Sequence, residues 1–289
     1  MEYRPSRAYV ARIYLKRISR WRRNSWPFLS GDAFADLADV NVGTPRFRGR
    51  PPSPSEIRRA SVVFCDSRLL EEMLSDHGSQ MSAKVLIAGN SDQEFHSIPE
   101  NLPSGLRLVL LQNSFISDGL KFRTLPIGIE NLRWGMNGHP RLMKMPPEGL
   151  TRNHEILIGP LSPTHPIRRT VIEQFTAIAG PWNFINQRLE PKNFAEVMRQ
   201  YEYVAAVRGN GVDTHRFWEA LYRGSTPVVQ RDAWSESLLN LGLPFEFIEE
   251  WTPEALRQII EHGPSKRFNS KDVNSLWMPY WKNLIDSVI

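Results

Sequence analysis

One stretch of the chain, residues 203–230, places a strand, a polar loop, a helix and a second strand in immediate succession. The apolar run 203–207 predicts a buried strand, residues 215–222 predict a helix, and 226–229 predict another strand. Gly224 ends the helix in this interpretation, because glycine accepts the left-handed backbone that follows many helices. This order is the repeating unit of an α/β domain with a parallel sheet. The loop follows a strand and precedes a helix, where such domains bind anionic ligands, so we expect a nucleotide or diphosphate there.

The same alternation extends over most of the chain. Short apolar runs, each followed by polar residues, are typical of parallel strands buried on both faces. Further strands are predicted at 61–65, 84–88, 107–111, 122–127, 155–158, 182–185 and 246–248. Further helices are predicted at 31–40, 67–75, 167–179, 193–201, 233–240, 253–261 and 273–289, and the proline-rich residues 43–55 predict an exposed loop.

The glycine- and proline-rich residues 135–153 divide this series and predict a linker. The predicted fold class is therefore α/β, with two Rossmann-like halves that face each other across a crevice. The parts are a basic amphipathic segment at 1–30, α/β domains at 31–140 and 150–270, and a C-terminal helix at 271–289.

Charge is concentrated at the amino end. Residues 1–23 carry eight Lys or Arg side chains and one acid, which leaves a net charge of −2 on the rest of a chain whose total is +5. The slightly acidic body argues against nucleic acid as a partner. The single cysteine, Cys65, excludes an internal disulfide and suits a reducing compartment.

Residues 4–23 combine these cations with apolar side chains at helical spacing, at Val10, Ile13, Tyr14, Ile18 and Trp21. Such a helix can lie on an anionic membrane, although packing on its own domain or a disordered basic arm would explain the pattern as well. No apolar run approaches the length of a transmembrane helix. We expect a cytoplasmic protein that associates peripherally with the inner face of a membrane.

The loop and helix of the central stretch carry the candidate ligand-binding residues. Asp213 or Thr214 is a natural N-cap, and two cations near the helix start, with the free amides, can neutralise a diphosphate. A carboxylate one turn further along the same face, Glu219, can accept hydrogen bonds from a ribose diol. The candidate donor-binding residues are Arg208, Gly209, Asn210, Gly211, Thr214, Arg216 and Glu219.

Simpler interpretations exist for several of these residues. Glu219 and Arg223 are four residues apart, so a surface ion pair explains them equally well. Arg216 is compatible with a solvated helix position, although a cation in the first turn opposes the helix dipole and favours an anionic partner. His215 suits a base, a phosphate donor or a packing residue.

This central stretch resembles the donor-binding segment of exostosin-like glycosyltransferases and, more loosely, of GT-B fold glycosyltransferases. The resemblance rests on Arg216, Glu219-Ala220, Gly224 and the ending Pro227-Val228-Val229. It implies a GT-B-like arrangement in which 150–270 binds the donor, with Glu219 on the ribose and the Arg208 and Arg216 region on the diphosphate.

The first half is similar to that of bacterial members, through Asn90-Ser91-Asp92, Gln112-Asn113 and the sequence Leu-Pro-Ile-Gly that ends at Gly128. The resemblance therefore implies that 31–140 is the acceptor side, with Asn90, Ser91, Gln112 and Asn113 as its candidate residues. The chain departs from many GT-B enzymes at Pro227, which replaces the second glutamate of their Glu-x7-Glu pattern. No Asp-x-Asp metal motif occurs either, and this agrees with the resemblance, because GT-B enzymes generally need no bound metal.

The predicted activity is transfer of a sugar from a nucleotide-diphosphate donor to a hydroxyl of a glycan or lipid-linked glycan, without metal or cofactor. Asp92 is the first candidate for the catalytic base, and Asp213 and His215 are the alternatives. Two other functions compete with this prediction: a non-catalytic nucleotide- or glycan-binding protein, and a nucleotide-sugar epimerase of GT-B type.

Overall fold

The computed structural model describes residues 25–43, 50–134, 137–264 and 268–289. They form a mixed α/β structure with two five-stranded, all-parallel sheets, which agrees with the prediction of two Rossmann-like halves. The predicted membrane-binding segment 4–23 lies outside the described residues. Among the described helices, none is both long enough and apolar enough to cross a membrane.

The first sheet contains its strands in sequence order: β1 Val40–Val42, β2 Val62–Asp66, β3 Val85–Gly89, β4 Leu108–Leu111 and β5 Phe122–Thr124. The helices α1 Gly31–Ala35, α2 Pro54–Arg59 and α3 Leu70–His77 accompany them. Strands β2, β3 and β4 are buried along their whole length, which accounts for the continuous apolar runs that predicted them.

Two predictions in this half were wrong. The predicted helix 31–40 ends at Ala35 and is followed by β1, and α2 begins inside the predicted loop 43–55. Strand β1 is three half-buried residues at the sheet edge, too short for periodicity to reveal. Helix α2 begins with a proline and a capping box between Ser53 and Glu56, a local signal that the proline content concealed.

The second sheet contains β6 Asn153–Ile158, β7 Trp182–Phe184, β8 Tyr201–Ala205, β9 Thr226–Gln230 and β10 Glu246–Ile248. Its helices are α4 Pro166–Ala177, α5 Pro191–Met198, α6 His215–Tyr222, α7 Ala233–Ser237 and α8 Pro253–His262. All of these elements were predicted, and none of their ends is shifted by more than three residues. Residues from α4 and α8 pack on one face of the sheet, and residues from α5 and α6 pack on the other.

The strand order of the second sheet is β10-β9-β8-β6-β7. Counted from its own first strand, this is the doubly wound order 2-1-3-4-5. The direction of winding reverses between β6 and β8, so the loops that follow these two neighbouring strands diverge to opposite faces. A crevice for a ligand forms at such a switch point. The first sheet is wound in one direction and has no reversal among its five strands.

The two halves share one continuous hydrophobic core. The side chains of Phe217 and Trp218 on α6 belong to the same buried cluster as strand residues of the first sheet. The last helix, α9 Met278–Asp286, returns to the first half, where Trp281 meets Phe34 edge to face at 5.5 Å. It is shorter than the predicted 273–289, because two 3₁₀ turns precede it. The halves are therefore joined over a large apolar area, and the crevice occupies only part of their boundary.

Candidate functional site

A cavity of about 420 Å³ opens at the carboxyl edge of the second sheet. Its walls include residues that follow β6, β7 and β8 and residues of the first two turns of α6. The first half contributes Asp92, Ile127 and Asn137. The cavity thus lies at the switch point of the doubly wound sheet and at the boundary between the halves, the two places where ligand sites are most often found.

Most of the candidate residues from the sequence come together here. Those that line the cavity are Asp92, Gly209, Asn210, Gly211, Asp213, Thr214, His215, Arg216 and Glu219. Those that do not are Arg208, Asn90, Ser91, Gln112 and Asn113. The predicted donor-binding loop and helix therefore line the cavity, whereas the predicted acceptor-side residues lie outside its lining.

Thr214 occupies the N-cap position of α6, in extended backbone, but its side chain does not cap the helix. The hydroxyl oxygen Oγ1 is buried, has no hydrogen-bond partner, and belongs to a residue that is 8% exposed and lines the cavity. A buried hydroxyl without a partner is unfavourable, and the amino end of a helix carries partial positive charge. The Thr214 hydroxyl is therefore an unused donor at a helix end that suits an anion.

Arg216 lies in the first turn of α6, and its guanidinium is held in one orientation. Its Nη1 donates to the Gly159 carbonyl at 2.7 Å, and its Cζ lies 4.4 Å from the ring centre of Phe194. Burial lowers the pKa of Arg216 to about 10, so the side chain is still a cation at neutral pH. The solvated position that the sequence also allowed is wrong, because this arginine is a fixed part of the cavity wall.

Arg168, on α4, is a cavity residue that the sequence interpretation missed. Its Nε donates to the Arg208 carbonyl at 2.8 Å and its Nη2 to the Val207 carbonyl at 3.0 Å, where the chain leaves β8. Burial lowers the pKa of this guanidinium. A side chain at Gly209 would meet Arg168 Nη2 at 3.0 Å. Gly209 is therefore explained by close packing and not by a positive φ. Arg168 was missed because nothing in the local sequence links α4 to a loop forty residues later.

Glu219 and Arg223 do form the predicted i,i+4 ion pair, with 3.3 Å between Oε2 and Nη1. The pair is not at the surface, since the two side chains are 7% and 2% exposed. Both residues line the cavity. The structure thus combines the two interpretations of Glu219: its carboxylate has an arginine partner and also forms part of the cavity wall.

Asp213 is buried and joins the two halves. Its Oδ2 accepts from the Ile127 amide at 2.8 Å, its Oδ1 accepts from Trp218 Nε1 at 2.8 Å, and its own amide donates to Asn113 Oδ1 at 3.0 Å. Burial raises the pKa of Asp213 to about 7, although these hydrogen bonds favour the ionised form. Both carboxylate oxygens are engaged, so this residue is poorly arranged to accept a substrate proton.

His215 is oriented by the other half of the molecule. Its Nδ1 lies 2.8 Å from the Gly128 carbonyl, and because a carbonyl only accepts, Nδ1 carries the proton in the neutral ring. The other ring nitrogen, Nε2, is then an acceptor on a residue of the cavity wall. Gly128 itself is fixed, with φ at 64° and no space for a Cβ, which would meet the Leu29 carbonyl oxygen at 2.1 Å.

Two polar pairs join the halves at the margin of the cavity. Asn210 Nδ2 donates to Asp92 Oδ2 at 3.1 Å, and Arg208 forms an ion pair with Glu94. The predicted role of Arg208 on the diphosphate is not what its geometry favours, because its guanidinium turns to Glu94 and lies outside the cavity lining. The backbone carbonyl of Arg208 still contributes to the site, because it accepts a hydrogen bond from the cavity residue Arg168.

The predicted acceptor-side residues have structural roles. Gln112 and Asn113 are 1% and 0% exposed, and their side-chain amides donate to the Ser91 carbonyl at 2.7 Å and 3.1 Å. Asn90, with φ at 61°, accepts from Asn131 through its side chain. These amides hold the loop after β3, so the prediction of direct acceptor contact by Gln112 and Asn113 was wrong. Only Asp92 of that loop's predicted residues reaches the cavity wall.

No protein-family model matches the chain, and no curated protein matches it in sequence.

Proposed function

We propose that the protein is a glycosyltransferase of GT-B-like architecture. It would transfer a sugar from a nucleotide-diphosphate donor to a hydroxyl of a glycan or lipid-linked glycan, without a metal ion. One observation carries this proposal: a helix amino end with an unpartnered hydroxyl, fixed arginines and a buried carboxylate meet in one cavity at the switch point of a doubly wound sheet.

The cationic part of the cavity supports binding of a diphosphate. Thr214 at the amino end of α6, Arg216 in its first turn and Arg168 on α4 all line this one cavity, and Arg168 holds the neighbouring loop. Such donors stabilise the charge that develops on a leaving diphosphate, and they are already oriented before the reaction starts. Arginine suits this task because its planar guanidinium matches the geometry of phosphate oxygens.

The anionic part of the cavity supports binding of the donor's ribose. Glu219 lies three residues along α6 from Arg216, about 4.5 Å in helix rise. A carboxylate at that distance from the diphosphate site can accept hydrogen bonds from the two ribose hydroxyls. The exostosin-like resemblance implies the same role for Glu219. The proposed ribose contact thus has support from both the resemblance and the position of Glu219 on α6.

Among the three candidate bases, the geometry favours His215. Asp213 has both oxygens engaged by buried donors, and Asp92 is exposed and pairs with Asn210. In the proposed step His215 Nε2 takes the proton of the acceptor hydroxyl, and the acceptor oxygen forms a bond to the sugar's anomeric carbon. The bond from that carbon to the diphosphate breaks, and the nucleoside diphosphate leaves with the electron pair.

The basic segment 4–23 supports a location at an anionic membrane face, where lipid-linked acceptors are found. This part of the proposal rests on charge and spacing in the sequence alone. Binding to the membrane would place the cavity close to the acceptor, so the local concentrations of enzyme and acceptor would both rise.

The test uses the full chain and a panel of nucleoside diphosphates and nucleotide sugars. Thermal unfolding would first identify which nucleotide stabilises the protein, and release of that nucleotide would then be measured with and without a glycan acceptor. We expect stabilisation by one nucleotide class and acceptor-dependent release. Binding without turnover would indicate a non-catalytic binding protein, and a changed sugar without any acceptor would indicate an epimerase. If no nucleotide or nucleotide sugar stabilises the protein, the proposal is overturned.

His215→Gln separates binding from chemistry. We expect unchanged nucleotide binding and a rate of transfer lower by about 10²–10⁴-fold, the usual contribution of a general base. His262→Gln is the matched control, because His262 also contacts a backbone carbonyl through Nδ1 but is exposed on α8 and away from the cavity wall.

A further inference from the structure

Arg223 is a fully buried arginine on the wall of the cavity, and the proposed transfer reaction does not yet use it. Its Nε donates to the Leu142 carbonyl at 3.1 Å, and its Nη1 lies 3.3 Å from both the backbone carbonyl and the Oε2 of Glu219. Its backbone carbonyl in turn accepts from Arg152 at 3.0 Å. Contacts with Leu142, with Glu219 and with the Met198 sulfur at 3.3 Å therefore fix where this guanidinium lies.

Stability alone is a weak reason for such a pair. The loss of hydration on burying two charges offsets most of their attraction, and well-packed apolar residues often replace such pairs at no cost. The sequence could place an aliphatic residue at position 223, as it does at the equally buried position Leu221 two residues earlier. Because this pair lies at the wall of a cavity, it is better explained by the Glu219 carboxylate that it presents to a ligand.

The pair fixes the carboxylate in one orientation. Arg223 occupies Oε2 of Glu219, so the oxygen Oε1 is the one left to a ligand in the cavity. A single fixed oxygen with two lone pairs matches two adjacent hydroxyl donors, as in a vicinal diol. Without the arginine, a buried carboxylate would lose its charge partner and its fixed rotamer together.

We propose that Arg223 is a positioning residue that sets Glu219 for recognition of the donor's ribose diol, so that the site selects ribonucleotides over 2′-deoxyribonucleotides. This inference rests on the proposed function, because it takes a nucleotide as the ligand of the cavity. It narrows the donor class to sugars carried on ribonucleoside diphosphates and disfavours those carried on deoxythymidine diphosphate. A site built to hydrogen-bond a hydroxyl rejects an analogue that lacks it, because its own polar group is then left unpaired.

The experiment compares dissociation constants for matched pairs of diphosphates that differ only in the 2′-hydroxyl: ADP and dADP, GDP and dGDP, CDP and dCDP, and UDP and dUDP. Calorimetry on the full chain would give the ratio for whichever base binds. In the unmodified protein we expect the ribonucleotide to bind at least about 10-fold more tightly, the effect of one hydrogen bond to a charged group. In Arg223→Met we expect that preference to fall below about threefold, while affinity for the deoxy compound changes little.

Further variants keep the outcome interpretable. Arg223→Lys retains a charge partner for Glu219 and should retain part of the preference. Glu219→Gln combined with Arg223→Met leaves no unpaired buried charge, and it should fold and bind both members of a pair equally. Arg257→Met is the control, because Arg257 pairs with Glu254 at the exposed surface of α8.

The outcomes separate this inference from the proposed function. Binding of no nucleotide refutes the proposed function. Binding of a nucleotide with equal affinity for its deoxy form refutes the ribose inference and leaves the nucleotide site intact. A preference that survives in Arg223→Met refutes the positioning role. Equal weakening of both compounds in that variant would show that Arg223 contacts another part of the ligand, which also refutes it.

Discussion

Thr214→Val tests the anion site directly, because the substitution removes one hydroxyl and almost nothing else. Thr214 has φ at −128° and ψ at 140°, an extended conformation that suits a β-branched residue, and its side chain makes no capping hydrogen bond that could be lost. Valine has nearly the same shape and fills the same volume. The variant therefore isolates the buried Oγ1, which has no partner in the protein.

The expected effects on stability and on binding have opposite signs. Burying a hydroxyl without a partner costs about 1–3 kcal/mol, so we expect the ligand-free variant to be more stable by about 1 kcal/mol. That corresponds to a rise in Tm of about 2–4 °C for a chain of this size class. A hydrogen bond to a charged group contributes about 1.5–3 kcal/mol, so affinity for a nucleoside diphosphate should fall about 10- to 100-fold.

Thermal unfolding with and without the nucleotide measures both effects on the same samples, and calorimetry gives the dissociation constant. Thr124→Val is the matched control, since Thr124 is also buried but its hydroxyl is hydrogen-bonded to Ser237. The control should lose stability and keep its affinity. If Thr214→Val is less stable than the unmodified protein and binds nucleotide equally well, the reasoning is refuted. The buried hydroxyl would then neither destabilise the ligand-free protein nor contact the nucleotide.

Two further perturbations test the contacts that join the halves. Burial raises the pKa of Asp213 to about 7, above the value of about 3.8 in the unfolded chain, so the folded state holds this proton more tightly. The stability contributed by that proton is complete below pH 4 and is lost as pH rises through 7, up to about 4 kcal/mol at 1.36 kcal/mol per pKa unit. Denaturant unfolding from pH 4 to 8 should show this slope, and Asp213→Asn should flatten it; an identical slope in that variant would assign the effect to other groups. Gly128→Ala should cost more than about 2 kcal/mol, since the left-handed backbone alone costs about 1–2 kcal/mol and the new Cβ would meet the Leu29 carbonyl. It should also slow transfer more than it weakens nucleotide binding, because the carbonyl that orients His215 would move, and equal losses in both would contradict that role for the carbonyl.

Local sequence signals were sufficient for most of the secondary structure. Helix α6 was predicted at its observed bounds, since the apolar face, the polar residues before it and Gly224 after it all lie within a dozen residues. The strands β2, β3, β4 and β8 were found because wholly buried strands are continuous apolar runs. Edge strand β1 was missed, because three half-buried residues carry no such run.

The candidate site was predicted only in part, for a physical reason that individual residues make clear. Thr214, Arg216 and Glu219 were found because they share one helix end, where spacing along the chain gives spacing in the structure. Arg168 was missed because it reaches the same loop from α4, and Arg208 was misplaced because Glu94 of the other half attracts it. Gln112 and Asn113 resembled exposed ligand residues, yet they are buried amides that hold a loop.

The sequence by itself determined which segments bury an apolar face and where the chain turns from β8 into α6, because those properties depend on neighbouring residues. The tertiary structure alone decided that β6 lies beside β8, and this pairing creates the switch point and the cavity. It also decided that a buried Arg223 holds Glu219, where the sequence allowed a surface pair. Strand order and burial depend on packing between residues far apart in the chain, and no local pattern encodes which of them will meet.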